Sequence, residues 1–175
     1  MLFTKSRLKT EPSDYIIKAS INESKYKTSF DVFLSHSFDD KPYIYELKNI
    51  LEGHGLSVYV DWLVDGYLDR NNVTTKTAEI LRTRMKQSKS LLYATSINSS
   101  SSKWMPWELG FFDGYKGKVA IIPIVENSYS KYEGQEYLGL YPYIDEAKIQ
   151  NSDNMALWIN KADNSSYNIR SWVNG

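Results

Sequence analysis

Apolar runs alternate with amphipathic stretches along most of this chain. The apolar runs are short and rich in β-branched and aromatic residues, which is typical of buried strands. They cover residues 30–35, 57–62, 90–95 and 119–125. The stretches between them repeat apolar residues at helical spacing, as in Tyr43, Leu47 and Leu51. Because strands and helices alternate with short connections, the pattern predicts a parallel sheet covered by helices on both faces.

Two polar segments flank this alternating centre, which we expect to span residues 29–145. Residues 1–28 carry one obvious apolar anchor, Ile16 and Ile17, and predict an N-terminal extension packed on the domain. Residues 141–145 can form a fifth strand at the edge of the sheet, where a proline is tolerated. Residues 146–175 are rich in Asn and Ser, yet their apolar positions predict a C-terminal helical extension. Those positions are Leu157, Trp158, Ile159, Ile169, Trp172 and Val173.

Composition removes several classes of function. The 175 residues include 21 basic and 21 acidic side chains, so the formal net charge is zero. No overall electrostatic attraction to nucleic acid or to an anionic membrane is therefore expected. Zero cysteines exclude disulfides and thiolate catalysis, and two histidines make a metal site unexpected. The apolar runs are too short to cross a bilayer, and the first residues lack the apolar core of a signal peptide. We expect a cytoplasmic protein without a metal.

Polar and aromatic residues follow the predicted strands at the edge where their carboxyl ends meet. Ligands of open parallel sheets bind at that edge, because loops and helix N-termini converge there. The residues are Ser35, His36, Ser37, Phe38 and Asp39 after the first strand, Asp61 and Trp62 after the second, Thr95 and Ser96 after the third, and Trp104 and Glu108 beyond it. Hydroxyls and helix N-termini favour a phosphate, and aromatic rings favour a base or a nicotinamide. The inventory fits a dinucleotide or a nucleotide sugar.

Glu108 is the candidate catalytic residue. It follows Trp104 by four residues, so in a helix both side chains share one face. An acid beside an aromatic wall suits cleavage of a glycosidic bond, which develops positive charge on the sugar. Each residue also has a plainer interpretation. Glu108 in the first turn would favour the helix dipole, and Trp104 could cover the core.

The other candidates have structural alternatives as well. His36 could be a packed or turn-bonding histidine rather than a proton shuttle. Asp61 could orient its loop by hydrogen bonding rather than act as a second acid. The residues of the first turn could satisfy turn amides instead of binding a ligand. We assign substrate binding to Ser35, His36, Ser37, Phe38, Asp39, Asp61, Trp62 and Trp104.

Four ordered blocks of the sequence resemble the Toll/interleukin-1 receptor (TIR) domain family over about residues 29–145. The blocks are residues 30–37 with Asp39, then Leu51, Gly55 and residues 58–61, then Ser88, and finally residues 102–104 with 107–109. This resemblance implies a flavodoxin-like three-layer α/β sandwich with a five-stranded parallel sheet. It also implies cleavage of the nicotinamide–ribose bond of NAD, with NAD as substrate and no cofactor. The family's catalytic glutamate lies four residues after an aromatic, as Glu108 does after Trp104.

The resemblance extends to the biological setting. A standalone chain like this one is similar to the sensors of Thoeris-like anti-phage systems, which make an ADP-ribose signal, linear, cyclic or base-exchanged, for a separate effector. It implies an NAD glycohydrolase or ADP-ribosyl cyclase that works by self-association through TIR–TIR contacts. Residues 64–72 occupy the place of the family's subunit-contacting loop but lack the Arg-Asp-Pro-Gly signature of animal adaptors. A non-catalytic interaction module and a deoxyribosyltransferase-like N-glycosidase are the alternatives.

Overall fold

A mixed eight-stranded sheet forms the centre of the computed structural model, which describes residues 1–24, 26–66, 74–130 and 136–175. The strands are β1 (Phe3–Thr4), β2 (Phe30–Ser35), β3 (Val58–Tyr59), β4 (Ser88–Thr95), β5 (Val119–Val125), β6 (Tyr143–Lys148), β7 (Met155–Asn160) and β8 (Ser166–Asn168). The helices are α1 (Lys5–Leu8), α2 (Asp14–Ser24), α3 (Lys41–Gly53), α4 (Asp61–Val64), α5 (Thr75–Lys86), α6 (Trp104–Lys116) and α7 (Ile169–Asn174). Three short 3-10 helices cover Phe38–Asp40, Ser99–Ser101 and Glu136–Leu140.

The predicted parallel α/β core is confirmed. Five strands pair in parallel in the order β3-β2-β4-β5-β6, with Val32 opposite Val58 and Tyr93 opposite Ile121. The short strand β1 also pairs in parallel with the end of β5. The sheet continues beyond the predicted five strands, because β7 and β8 add to it antiparallel to their neighbours.

Helices cover both faces of the sheet, and each face has its own apolar core. Successive residues of β4 point to opposite sides, so Leu91 and Tyr93 join one core and Leu92 and Ala94 join the other. The first core is closed by α5 and α6, and the second by α3 and α7. The turns that follow the carboxyl ends of the strands therefore lie between two packed layers.

The second strand was predicted over residues 57–62, but the observed strand β3 covers only Val58–Tyr59. The strand β3 stops at Tyr59, and Asp61 begins the short helix α4. The amides of Leu63 and Val64 both donate to the carbonyl oxygen of Val60, which turns the chain. The turn buries Leu63 and Val64, and that burial outweighs the strand preference of the segment. Asp61 and Trp62 are thereby placed at the start of a helix.

The predicted C-terminal helical extension is wrong. Residues 146–175 continue β6 and then form β7 and β8, and only the six residues of α7 are helical. Leu157 and Ile159 are fully buried while Trp158 between them is partly exposed, which is the two-residue period of a strand. Because β7 pairs along the whole length of β6, the fifth parallel strand is not an edge strand.

The N-terminal extension packs on the domain, but the expected anchor contributes only through Ile17, which lies partly buried against the core. Phe3 and Leu8 are fully buried, whereas Ile16 is 45% exposed and Ile17 is only partly buried. Arg7 also forms a bidentate ion pair with Glu146, in which the N–O distances are 2.6 and 3.2 Å. Among the described residues, no helix is long and apolar enough to cross a membrane.

Candidate active site

Glu108 lies under the carboxyl edge of the sheet, in contact with the end of β2. It is the fifth residue of α6, and its side chain is 0% exposed. The Ser35 hydroxyl donates a hydrogen bond to Glu108 Oε2 at 2.5 Å. Ser35 is the last residue of β2 and is also fully buried. Two segments that the sequence placed at one edge therefore meet through a short hydrogen bond of the kind that carboxylates accept from hydroxyls.

Trp104 lies one helical turn before Glu108, and both side chains face the protein interior. Trp104 is 8% exposed and packs edge to face against Trp107, with ring centroids 5.4 Å apart. The predicted common face of Trp104 and Glu108 is confirmed. The helix begins at Trp104, so Glu108 falls in the second turn and no acid occupies the first. The first-turn dipole interpretation of Glu108 is therefore wrong.

His36 is fixed by hydrogen bonds on both ring nitrogens. Its Nδ1 lies 2.9 Å from the carbonyl oxygen of Leu34, and its Nε2 lies 3.1 Å from the indole Nε1 of Trp62. A carbonyl only accepts and an indole N–H only donates, so these two contacts match the tautomer that carries its proton on Nδ1. Asp61 Oδ1 lies 3.6 Å from His36 Nε2. This geometry supports a positioning role for His36, which holds the Trp62 ring at the edge of the sheet, with Asp61 beside it.

Asp40 is a buried carboxylate whose contacts the sequence did not predict. It accepts hydrogen bonds from Ser96 Oγ at 2.6 Å and Asn98 Nδ2 at 2.7 Å. Asp40 directly precedes α3, yet its side chain makes no cap hydrogen bond to that helix. Instead it joins the turn after β2 to the turn after β4. The sequence did contain a signal for these contacts, since the polar residues Ser96 and Asn98 follow the buried strand β4.

The rest of the first turn is partly open to solvent. Phe38 is 55% exposed, Asp39 is also exposed, and Ser37 is buried. Lys41, which the sequence analysis missed, places its Nζ 3.9 Å from the centroid of the Phe38 ring and 5.2 Å from that of Trp62. Asp39 is exposed, whereas Glu108 is fully buried. Phe38, Lys41 and Trp62 form a rim, whereas Ser35 and Glu108 lie beneath it.

The loop predicted at residues 64–72 is described only at its start, since residues 67–72 lie outside the described part of the chain. Asp65 is buried and accepts hydrogen bonds from Tyr59 at 2.9 Å and from two nitrogens of Arg84, each at 2.8 Å. Burial, followed by the charges of Asp61 and Asp65, raises the pKa of Tyr59 well above its ordinary value. The phenol therefore stays protonated and acts as a donor, and the first residues of the loop are fastened to β3 and α5.

Comparison with known protein families decides the classification. The model of the TIR domain family matches residues 32–157, which is most of the chain. This chain is a TIR domain protein. The match includes Ser35, Trp104 and Glu108, and it runs past residue 145 into β7. The first 28 residues lie outside it.

Two relatives of this TIR domain have names that state an activity. The "Probable 3' cyclic ADP-D-ribose synthase ThsB'" of Bacillus cereus strain MSX-D12 is 53% identical over 82% of this chain and 75% of its own length. The "Putative cyclic ADP-D-ribose synthase TIR2" of Cytobacillus dafuensis is 32% identical over 57% of this chain and 27% of its own length. The crystal structure of the TIR domain of the Toll-related receptor TRR-2 from Hydra magnipapillata matches with a TM-score of 0.48 and 19% identity, over 66% of this chain and 82% of that chain.

Proposed function

We propose that this TIR domain cleaves the bond between nicotinamide and ribose in NAD and closes the remaining ADP-ribose into a ring. The observation that carries the proposal is the buried carboxylate of Glu108, which accepts a 2.5 Å hydrogen bond from Ser35 and lies one turn from Trp104. The proposal is also supported by the two relatives, both named as cyclic ADP-D-ribose synthases.

The acid acts through its negative charge. The nicotinamide nitrogen of NAD is already cationic, so it leaves with the bonding electron pair and needs no proton. The ribosyl carbon C1′ is left as an oxocarbenium ion, and an ionised Glu108 beside it stabilises this charge more than it stabilises the substrate. The hydroxyl of Ser35 donates to the carboxylate and fixes its orientation.

Burial decides which nucleophile completes the reaction. Glu108 and Ser35 have no exposed surface in the free protein, and in this proposal the same covering groups close over bound NAD and keep bulk water from C1′. A nucleophilic atom of the same molecule then forms the new bond to C1′. If that atom is a hydroxyl oxygen, its proton passes to the carboxylate of Glu108 and from there to solvent. The cyclic product is therefore favoured over linear ADP-ribose.

The same burial implies control of access. A substrate reaches Glu108 only after the groups that cover it move, because the side chain is fully buried. We propose that self-association through TIR–TIR contacts shifts the domain to the open arrangement, so that a dilute sample has low activity. The product is a small molecule, and we propose that a separate effector protein responds to it in anti-phage defence.

Analysis of the reaction products tests this function. Purified protein is incubated with NAD over a range of protein concentrations, and mass spectrometry follows nicotinamide and the ADP-ribose products. We expect nicotinamide and a product with the mass of ADP-ribose less one water, with specific activity that rises with protein concentration. No nicotinamide at any concentration would instead support an interaction module, and cleavage of free nucleosides but not NAD would support a deoxyribosyltransferase-like enzyme.

A further inference from the structure

One buried carboxyl group joins the two turns that follow the neighbouring strands β2 and β4. Asp40 lies in the turn after β2, and Ser96 and Asn98 lie just after β4. The Asp40 side chain has no exposed surface, and each of its oxygens accepts a hydrogen bond from the other turn. The donors are Ser96 Oγ, 2.6 Å from Oδ2, and Asn98 Nδ2, 2.7 Å from Oδ1. Because a buried acceptor that loses its donor is costly, these bonds hold the two turns in one relative position.

The hydrogen bonds continue through the turn after β4. Ser96 Oγ accepts from the amide of Asn98 at 2.9 Å, so its own proton is directed to Asp40. The amide of Ser96 donates to Ser99 Oγ at 2.6 Å, and this hydroxyl donates back to the carbonyl oxygen of Ser96 at 2.9 Å. Ser99 is itself buried. The turn is therefore an ordered unit that Asp40 connects to the end of β2.

The same two segments carry Ser35 and Glu108. Ser35 is the last residue of β2, just before the turn that contains Asp40. The helix α6 begins at Trp104, shortly after the turn that contains Ser96, and it carries Glu108. The segments thus meet at two places, the Asp40 contact and the 2.5 Å hydrogen bond from Ser35 to Glu108. A shift of the turn after β4 would move the start of α6 and change the second contact.

We propose that Asp40 is a positioning residue for the cleavage of NAD, because it holds the turn before α6 and so sets the placement of Glu108 against Ser35. This inference rests on the proposed function. A displacement of about 1 Å at a reacting group can cost up to about a hundredfold in rate. Asp40 is fully buried and bonded to protein groups through both oxygens, so it acts on kcat rather than on the binding of substrate.

The test begins with Asp40→Asn, which offers one acceptor oxygen in place of two, so one of the two hydrogen bonds is lost. Adding Asn98→Asp exchanges the donor and the acceptor of the second bond and restores it. The matched control is Asp31→Asn at the start of β2, since Asp31 accepts from the amide and the hydroxyl of Ser57 at 2.8 and 2.9 Å. Initial rates of nicotinamide release give kcat and KM for NAD, at folded fractions matched by circular dichroism.

We expect Asp40→Asn to lower kcat about tenfold with KM within about twofold, as misplacement of a catalytic group predicts. The added Asn98→Asp substitution restores kcat to within about threefold of the wild type, and Asp31→Asn resembles the wild type. In a Ser35→Ala background, Asp40→Asn lowers kcat less than about threefold, because the contact that it positions is already lost. If Asp40→Asn does not fold, Asn98→Ala removes one donor only, and a severalfold loss of kcat is expected.

An unchanged kcat in folded Asp40→Asn, or in folded Asn98→Ala if Asp40→Asn does not fold, would overturn the positioning role. So would a loss of kcat that Asn98→Asp does not reverse, or one that is equally large in the Ser35→Ala background. A wild-type protein that releases no nicotinamide contradicts the proposed function itself, which is a separate outcome.

Discussion

The Ser35 hydroxyl lies 2.5 Å from Glu108 Oε2, and neither side chain has exposed surface. The two residues are 73 positions apart in the chain, and the parallel pairing of β2 with β4 places their elements side by side. The strand that ends at Ser35 therefore supplies a donor to the acid carried by α6. Ser35 therefore orients the carboxylate before a substrate enters.

Replacing Ser35 with Ala is expected to lower kcat for nicotinamide release about tenfold to a hundredfold, because the carboxylate loses its donor and its fixed orientation. The control is Ser90→Ala, which also removes a buried hydroxyl. Ser90 donates to the carbonyl oxygen of Asp31 at 2.8 Å, at the start of β2 rather than its end. Steady-state rates of both variants are compared at matched folded fractions. An equal loss of activity in the two variants would mean that Ser35 serves only stability.

Arg84→Met is expected to lower the free energy of unfolding by about 3 kcal/mol, because it removes the two charge-assisted hydrogen bonds that Arg84 donates to the buried carboxylate of Asp65. The control is Lys148→Met, since the Lys148–Asp153 pair is exposed on both sides and such pairs contribute about 0–1 kcal/mol. Urea denaturation of both variants measures the difference. If Arg84→Met costs no more than Lys148→Met, the network of Tyr59, Asp65 and Arg84 does not fasten the loop.

Phe3→Ala is expected to lower the free energy of unfolding by about 3–5 kcal/mol, because the fully buried ring leaves a cavity beside β5. Ile16→Ala should change it by less than about 0.5 kcal/mol, since that side chain is 45% exposed. Denaturant unfolding of the two variants decides which residue anchors the N-terminal segment. A larger effect of Ile16→Ala would restore the anchor expected from the sequence.

The sequence was most informative where a single local rule decides the structure. The run at residues 30–35 has a strand's length and composition, and β2 has these bounds. The spacing of Trp104 and Glu108 required only that the segment be helical, and α6 provides that. The acid could therefore be placed at the edge of the sheet before its contacts were known.

Tertiary contacts decided what the sequence analysis missed. The segment around Leu157 was interpreted as helical because an isolated apolar run does not distinguish a strand from a helix, and only its antiparallel pairing with the preceding strand, β6, makes it a strand. Lys41 was passed over because a lysine beside a helix start is usually solvated. Only the folded chain shows its ammonium between the rings of Phe38 and Trp62.

The most direct measurement of the central claim is the rate of nicotinamide release from NAD by Glu108→Gln. The substitution keeps the size of the side chain and removes its charge, and Glu79→Gln on the exposed surface of α5 is the control. We predict that Glu108→Gln loses about a hundredfold or more in kcat, as expected for removal of a charge that stabilises the transition state, while its circular dichroism and the rate of Glu79→Gln match the wild type. Wild-type rates in a folded Glu108→Gln variant would contradict the account.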